Sequence, residues 1–238
     1  MQGTHVKATV EKNYRLICRR IGDACASAGR QPDDVTLIAV TKYARWEWVK
    51  ALSQFHSTFG ESRPQQLAER QPQLSAARWH LIGQLQRNKA RLAVNHADVA
   101  HSVDSEKLCG QLSSLCREAA GFRPRLEVLL QVNLSEEASK SGFGLEEIRQ
   151  LWPGLYGAHR GSLQFCGLMT MPPRSSSPES SRAVFRSLAE LREELNEATE
   201  DAPLKELSMG MTGDFEVAID EGATLIRVGT ALFEGLSQ

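Results

Sequence analysis

TLIAVTKY, residues 36–43, is the stretch whose reading decides the fold. Leu37 to Thr41 are apolar or β-branched, and a lysine follows at once. A short apolar run of this kind fits a strand buried on both faces, as in a parallel sheet. Lys42 then stands at the carboxyl end of that strand, where α/β folds bind their ligands. A lysine there is either a snorkelling side chain that leaves the core for solvent or an amine able to form a Schiff base with a carbonyl compound.

Working outward, strand-like and helix-like segments alternate along the whole chain. Val6, Val10, Tyr14, Ile17 and Ile21 form one face of an N-terminal helix that runs to about Ala28 and is closed by Gly29. After the strand at 36–43 come strands at 57–61, 78–83, 99–105, 125–133, 163–171, 204–211 and 224–233. Helices are expected between them over 45–55, 64–74, 85–95, from about 105 to 120, 145–155, 181–199 and 214–221. Such alternation argues for parallel βαβ units. The fold expected is an α/β (β/α)8 TIM barrel, one domain over residues 1–238, with an extra N-terminal helix. An open doubly wound sheet is the alternative, but it is normally marked by a glycine-rich loop after the first strand. Here that strand ends in Lys-Tyr-Ala-Arg.

Composition excludes several classes of function. The 238 residues carry a net charge of -1, which gives no basic field for nucleic acid. No apolar run reaches the length of a membrane span, and the first twenty residues lack the apolar core of a signal peptide. Five cysteines without a Cys-x-x-Cys pair indicate neither a disulfide framework nor a zinc site. His80 and His101 have no carboxylate or third histidine at ligand spacing, so hydrogen bonding in the core or at the rim is the expectation for them. A cytoplasmic monomer is expected.

On a barrel, the strand ends converge on one face. That face gathers Lys42, Glu61, His80 or Gly83, Asp104, Asn133, Met169, Ser208 to Thr212 and Arg227 to Thr230. SMGMTGD (208–214) and RVGT (227–230) offer hydroxyls, glycines and a helix start, the makings of a phosphate cradle or of ordinary turns. Arg227 interrupts the apolar strand TLIRVG, so it needs either a structural ion-pair partner or a ligand. An aldehyde-accepting lysine, a phosphate cradle and an inward arginine together describe pyridoxal 5'-phosphate.

At this point the chain resembles the YggS/PROSC family of pyridoxal phosphate homeostasis proteins. The stretches that carry the resemblance are AVTKY (39–43), FGES with a following Gln-Gln (59–66), WHLIGQLQRNK (79–89), HSVDS (101–105), QVNLSEEASKSGFG (131–144), GLMTMPP (167–173) and LSMGMTGDFEVAIDEGATLIRVGTALF (207–233). The resemblance implies a barrel of the alanine-racemase type, with Lys42 as Schiff-base lysine. It places Arg227 at the ring nitrogen and Ser208, Gly229 and Thr230 around the phosphate. The chain departs from the family pattern at Ser62, where asparagine is usual, at Pro64, where a hydrophobic residue is usual, and at Leu232-Phe233-Glu234. The first pair of departures concerns how the loop after the second strand approaches the cofactor.

An arginine at the ring nitrogen keeps that nitrogen unprotonated and makes the ring a poor electron sink. A racemase needs an acid/base on each face of its substrate. Alanine racemases resembling this barrel take the second base from a tyrosine supplied with a C-terminal domain, and with the sequence ending at Gln238 no such domain is expected here. Of the three tyrosines, Tyr14 and Tyr156 fall on helices and Tyr43 is expected to point out of the barrel. The expected function is therefore reversible binding of pyridoxal phosphate without catalysis, with PLP-dependent apo-enzymes as candidate recipients. A PLP-dependent amino-acid racemase is the alternative, and a barrel with a structural Lys42 is a third reading. Lys89 and Lys140 are either further amines for transfer or solvated charges.

Overall fold

The computed structural model describes residues 2–119, 125–134, 141–173, 177–199 and 204–236. Eight parallel strands close into a barrel in sequence order: β1 (Thr36–Val40), β2 (Thr58–Glu61), β3 (Arg78–Leu81), β4 (Val99–Val103), β5 (Leu126–Gln131), β6 (Leu163–Met169), β7 (Glu206–Met211) and β8 (Leu225–Val228). β1 closes the ring on β8 with Ile38 paired to Arg227. The (β/α)8 barrel expected from the alternation is the fold observed.

Strand periodicity sorts the core into two parts. Leu37 and Ala39 face outward and join Trp48, Leu52 and other helix residues in one large core between sheet and helices. Ile38, Val99, Leu129, Met169 and Leu225 form a separate cluster that fills the barrel. Counting on from Ile38, the inward positions are Val40 and Lys42, and the same count from Leu225 gives Arg227 and Gly229. The site residues thus stand one layer above the apolar plug.

Seven helices follow the first seven strands: α2 (Trp46–Leu52), α3 (Pro64–Arg70), α4 (Ala90–His96), α5 (Glu106–Glu118), α6 (Leu145–His159), α7 (Arg182–Glu197) and α8 (Phe215–Asp220). No α-helix follows β8 among the described residues. The N-terminal helix α1 (Gln2–Ser27) packs against both α2 and α8 and so fills the eighth place in the outer ring. The Asn13 amide donates to Leu232 O and Glu234 O, at 3.3 and 2.9 Å, and Arg20 pairs with Glu216. The helix is extra in chain order but not in the ring.

Several element boundaries differ from expectation, among them the start of α4, expected at 85 and found at Ala90 after a 3-10 turn, and two more are instructive. α6 continues through Pro153 and Gly154 to His159, held by the burial of Trp152 and Leu155. The last strand, expected to reach Phe233, stops at Val228, and the chain turns at Gly229 into a short 3-10 turn, Thr230–Phe233. Gly229, with φ -121 and ψ -82, leaves the extended conformation, and it lies close to β1: a Cβ there would be 3.3 Å from both the Cβ and the carbonyl oxygen of Val40. That turn brings Thr230 to the mouth of the barrel. Among the described residues no helix is long and apolar enough to cross a membrane.

Candidate cofactor site

A cavity of about 650 Å³ opens at the carboxyl ends of the strands. Its size suits a small ligand. One side is formed by Lys42, Arg227, Gly229, Thr230, Met211 and Thr212. The facing side is formed by Ser62, Gly83, Gln84, Gln131, Asn133 and Ser141. Lys42 and Arg227 are the only charged groups among the described lining residues, and both are cations.

Lys42 lies two residues past the end of β1, in a turn whose backbone is tightly held. The Arg70 guanidinium, from α3, donates to Thr41 O at 2.8 Å and to Ala44 O at 2.7 Å, so it grips the chain on both sides of the lysine. Arg70 also donates to Glu61 Oε1 at 2.6 Å, and the Thr41 hydroxyl donates to the same oxygen at 2.5 Å. Glu61 is fully buried and Arg70 nearly so. Burial pushes the Glu61 carboxyl up, and Thr41 and Arg70 act against that shift. Glu61, expected among the groups on the open face, is instead turned toward α3, because Gly60 and Ser62 hold the inward positions of this strand. Arg70 itself gave no sign in the sequence, where it reads as an ordinary charge on a polar helix.

Arg227 is 5% exposed. It donates to the Ser208 hydroxyl and, at 3.1 Å, to Thr170 O, whose own hydroxyl donates to Val132 O. No carboxylate among the described residues forms an ion pair with it. Burial lowers its pKa to about 10, with Asp214 acting weakly the other way. Behind Ser208, the ring of His101 lies 2.8 Å from the hydroxyl through Nδ1 and 2.8 Å from His80 Nδ1 through Nε2. Burial lowers the His80 pKa to about 3, with Arg78 adding to the effect. His101 is lowered well below its ordinary value, first by burial and then by His80 and Arg227.

Of the residues singled out in the sequence, Lys42, Arg227, Gly229 and Thr230 meet on one cavity. Ser208 is fully buried beneath Arg227, its hydroxyl shared between the guanidinium and His101, and it does not line the cavity. Thr212, from the same SMGMTGD segment, stands on the cavity in its place. The segment turns at Gly210, with φ +90, where a Cβ would lie 2.6 Å from Ala218 Cβ. The Met211 N–H then donates to Asp214 Oδ1 at 2.7 Å, which leaves Thr212 at the tip.

Ser62 lines the cavity and packs on Gly83, where a Cβ would be 2.1 Å from Ser62 O. Pro64 is buried at the first turn of α3, so it fills an apolar position and needs no N–H there. The two departures from the family pattern are therefore accommodated without opening the loop. Tyr43 is 69% exposed, and Lys42 Nζ lies 5.1 Å from its ring centroid. Lys89 closes a 3-10 turn before α4, away from the cavity, and Lys140 lies outside the described residues. Among the described residues no group of three or more His, Cys, Asp or Glu is placed to hold a metal ion.

Known proteins are similar to this chain in sequence and fold. Residues 19–237 match the family model for the alanine racemase N-terminal domain. The pyridoxal phosphate homeostasis protein of Pseudomonas aeruginosa is 38% identical over 234 residues, covering 95% of each chain. That of Escherichia coli K12 is 32% identical over 230 residues, covering 94% of this chain and 95% of its own. PipY of Synechococcus elongatus, solved with pyridoxal phosphate bound, superimposes with a TM-score of 0.78 at 35% identity, over 90% of this chain and 99% of its own. The chain belongs to the alanine racemase N-terminal-domain family and, within it, to the pyridoxal phosphate homeostasis proteins.

Proposed function

We propose that this chain binds pyridoxal 5'-phosphate reversibly through Lys42 and serves its homeostasis without turning over a substrate. The observation that carries this reading is Arg227. A cation this deeply buried, with neutral partners only, is unfavourable until an electron-rich group meets it. The described cavity fits the cofactor in its other parts too. Lys42 supplies an amine for the aldehyde carbon, Thr212 and Thr230 supply hydroxyls, and Gly229 lets a phosphate approach the backbone. In this reading Arg227 faces the ring nitrogen, and Ser208 acts by holding Arg227 rather than by touching the phosphate.

When bound, pyridoxal phosphate offers an electrophilic carbon to amines and an electron sink to carbanions. The residues here support only the first. The described lining contains no carboxylate, tyrosine, histidine or cysteine, so Lys42 is the one general acid/base among the described residues of the cavity. Racemisation would need a second such group on the opposite face. Exchange of the α-hydrogen of amino acids in deuterated water tests the reading: no exchange above the Lys42→Ala background is expected, and Lys42-dependent exchange would establish the racemase alternative. The chain is placed in the cytoplasm as a monomer in this reading, with PLP-dependent apo-enzymes as recipients. Light scattering of the loaded protein checks the first point, and activation of a cofactor-free enzyme by the loaded protein checks the second.

A further inference from the structure

Four buried side chains run across the barrel beneath the cavity: Arg227, Ser208, His101 and His80. They come from β8, β7, β4 and β3 and share no local sequence pattern. A guanidinium only donates, so Ser208 Oγ accepts from Arg227. If Ser208 also accepted from His101, its own proton and His80 Nε2 would both be left buried without a partner, so the better-satisfied arrangement has Ser208 giving its proton to His101 Nδ1. His101 then carries its proton on Nε2 and donates to His80 Nδ1. His80 in turn keeps its proton on Nε2, a buried atom with no partner among the described residues. Both imidazoles are neutral and each is in one tautomer. A buried donor left without a partner is unfavourable, and apolar residues would fill this volume without that penalty. Such a chain is explained by what it does at its other end, where it presents Arg227 to the cavity.

We propose that Ser208 and His101 are positioning residues for Arg227. Through a fixed hydrogen-bond direction they orient the guanidinium so that its remaining N–H groups point at the ring nitrogen of the bound pyridine. Thr170 O is the second anchor, at 3.1 Å. Neither residue touches the ligand. No carboxylate takes part, so the guanidinium is located without being neutralised, which an ion pair would not allow. This proposal rests on the reading of the cavity as a pyridoxal phosphate site with Arg227 at the ring nitrogen.

The test compares two probes on the full-length protein: pyridoxal phosphate and its analogue in which a carbon replaces the ring nitrogen. The wild type should prefer pyridoxal phosphate over the analogue by about tenfold or more, the worth of a charge-assisted hydrogen bond. Arg227→Met should abolish that preference. His101→Leu, which removes the acceptor for Ser208, should reduce it to a few-fold or less and shift the absorption maximum of the bound pyridoxal phosphate. His101→Asn, which returns an acceptor near the Nδ1 position, should restore most of it. Ser208→Ala serves as a second probe of the same link if His101→Leu does not fold. Equal loss of affinity for both probes in the His101 and Ser208 variants would mean a structural role only and would overturn the proposal. An Arg227→Met protein that keeps the preference would overturn the ring-nitrogen reading and the proposal with it. Borohydride fixation on Lys42 in every variant separates these outcomes from a failure of the cofactor reading itself.

Discussion

Two arginines among the described residues are buried, and they are buried in opposite ways. Arg70 sits between sheet and helix with a carboxylate, Glu61, at 2.6 Å and two backbone carbonyls in reach. Arg227 sits inside the barrel with a hydroxyl and one carbonyl, and no carboxylate among the described residues. The first is a closed structural clamp whose product is a fixed turn around Lys42. The second is an open charge whose remaining donors face a cavity. A buried ion pair is weak evidence for stability, but removing one partner of it is severe. A buried cation without an anion is a liability to the free protein and an asset to a ligand complex. The same residue type thus marks scaffold in one place and site in the other, and the presence of a carboxylate tells them apart.

The contrast can be broken most forcefully at the clamp. Arg70→Met leaves Glu61 buried and unpaired, and should lower stability by about 3–5 kcal/mol. Adding Glu61→Leu to that variant should recover more than half of the loss, since both polar partners are then gone. Urea unfolding of the three proteins measures both numbers. If Arg70→Met were neutral, the clamp would not be structural.

At Arg227 the sign should reverse. Arg227→Met should raise the stability of the cofactor-free protein by roughly 1–2 kcal/mol, because a desolvated charge is replaced by apolar volume. The same variant should bind pyridoxal phosphate at least about tenfold more weakly. A free protein made less stable by this change would contradict the description of Arg227 as an unneutralised charge.

The histidines behind Arg227 give a pH dependence with a definite sign. His80 titrates near 6.5 when unfolded and near 3 in the folded barrel, and His101 is lowered in the same direction. Below pH 6.5 the unfolded chain takes up protons that the folded barrel refuses. Their contribution to stability is therefore complete above about pH 7 and is lost as the pH falls toward 3. Each imidazole adds a slope of about 1.4 kcal/mol per pH unit within that window. His101→Asn should remove one such increment from the slope measured between pH 6 and 4.5. An unchanged slope would show that His101 is already protonated in the fold.

The smallest effect is expected at the cavity rim. Thr212→Ala should weaken binding of pyridoxal phosphate by a few-fold, about one hydrogen bond, and leave folding stability unchanged. Ser208→Ala should instead alter both, since its hydroxyl is buried under Arg227 and not on the cavity.

These residues also show where sequence was enough and where it was not. The barrel was legible because strand and helix patterns alternate at regular spacing, and Arg227 was legible because a charge breaks an apolar strand. Lys42 was legible because a lysine follows directly on a short apolar strand, at the end where α/β folds bind their ligands. Arg70 was not, because its partner Glu61 is nine residues away across a loop and nothing in PQQLAER marks burial. The Ser208–His101 contact spans 107 positions and joins residues that only barrel closure brings together. The choice between Ser208 and Thr212 as the cavity hydroxyl depended on the turn at Gly210, where the strand's alternation stops. The end of β8 was misplaced because the backbone leaves the extended conformation at Gly229, while the apolar run TLIRVGTALF continues past it.

The central claim is that this cavity holds pyridoxal phosphate on Lys42. Its most direct test is to add pyridoxal phosphate to the purified protein, record the visible spectrum, reduce with borohydride and map the labelled peptide. The account predicts a yellow protein with one equivalent of label on the peptide containing Lys42, and none in Lys42→Ala. No visible absorption, or label spread over other lysines with Lys42 unmodified, would contradict it.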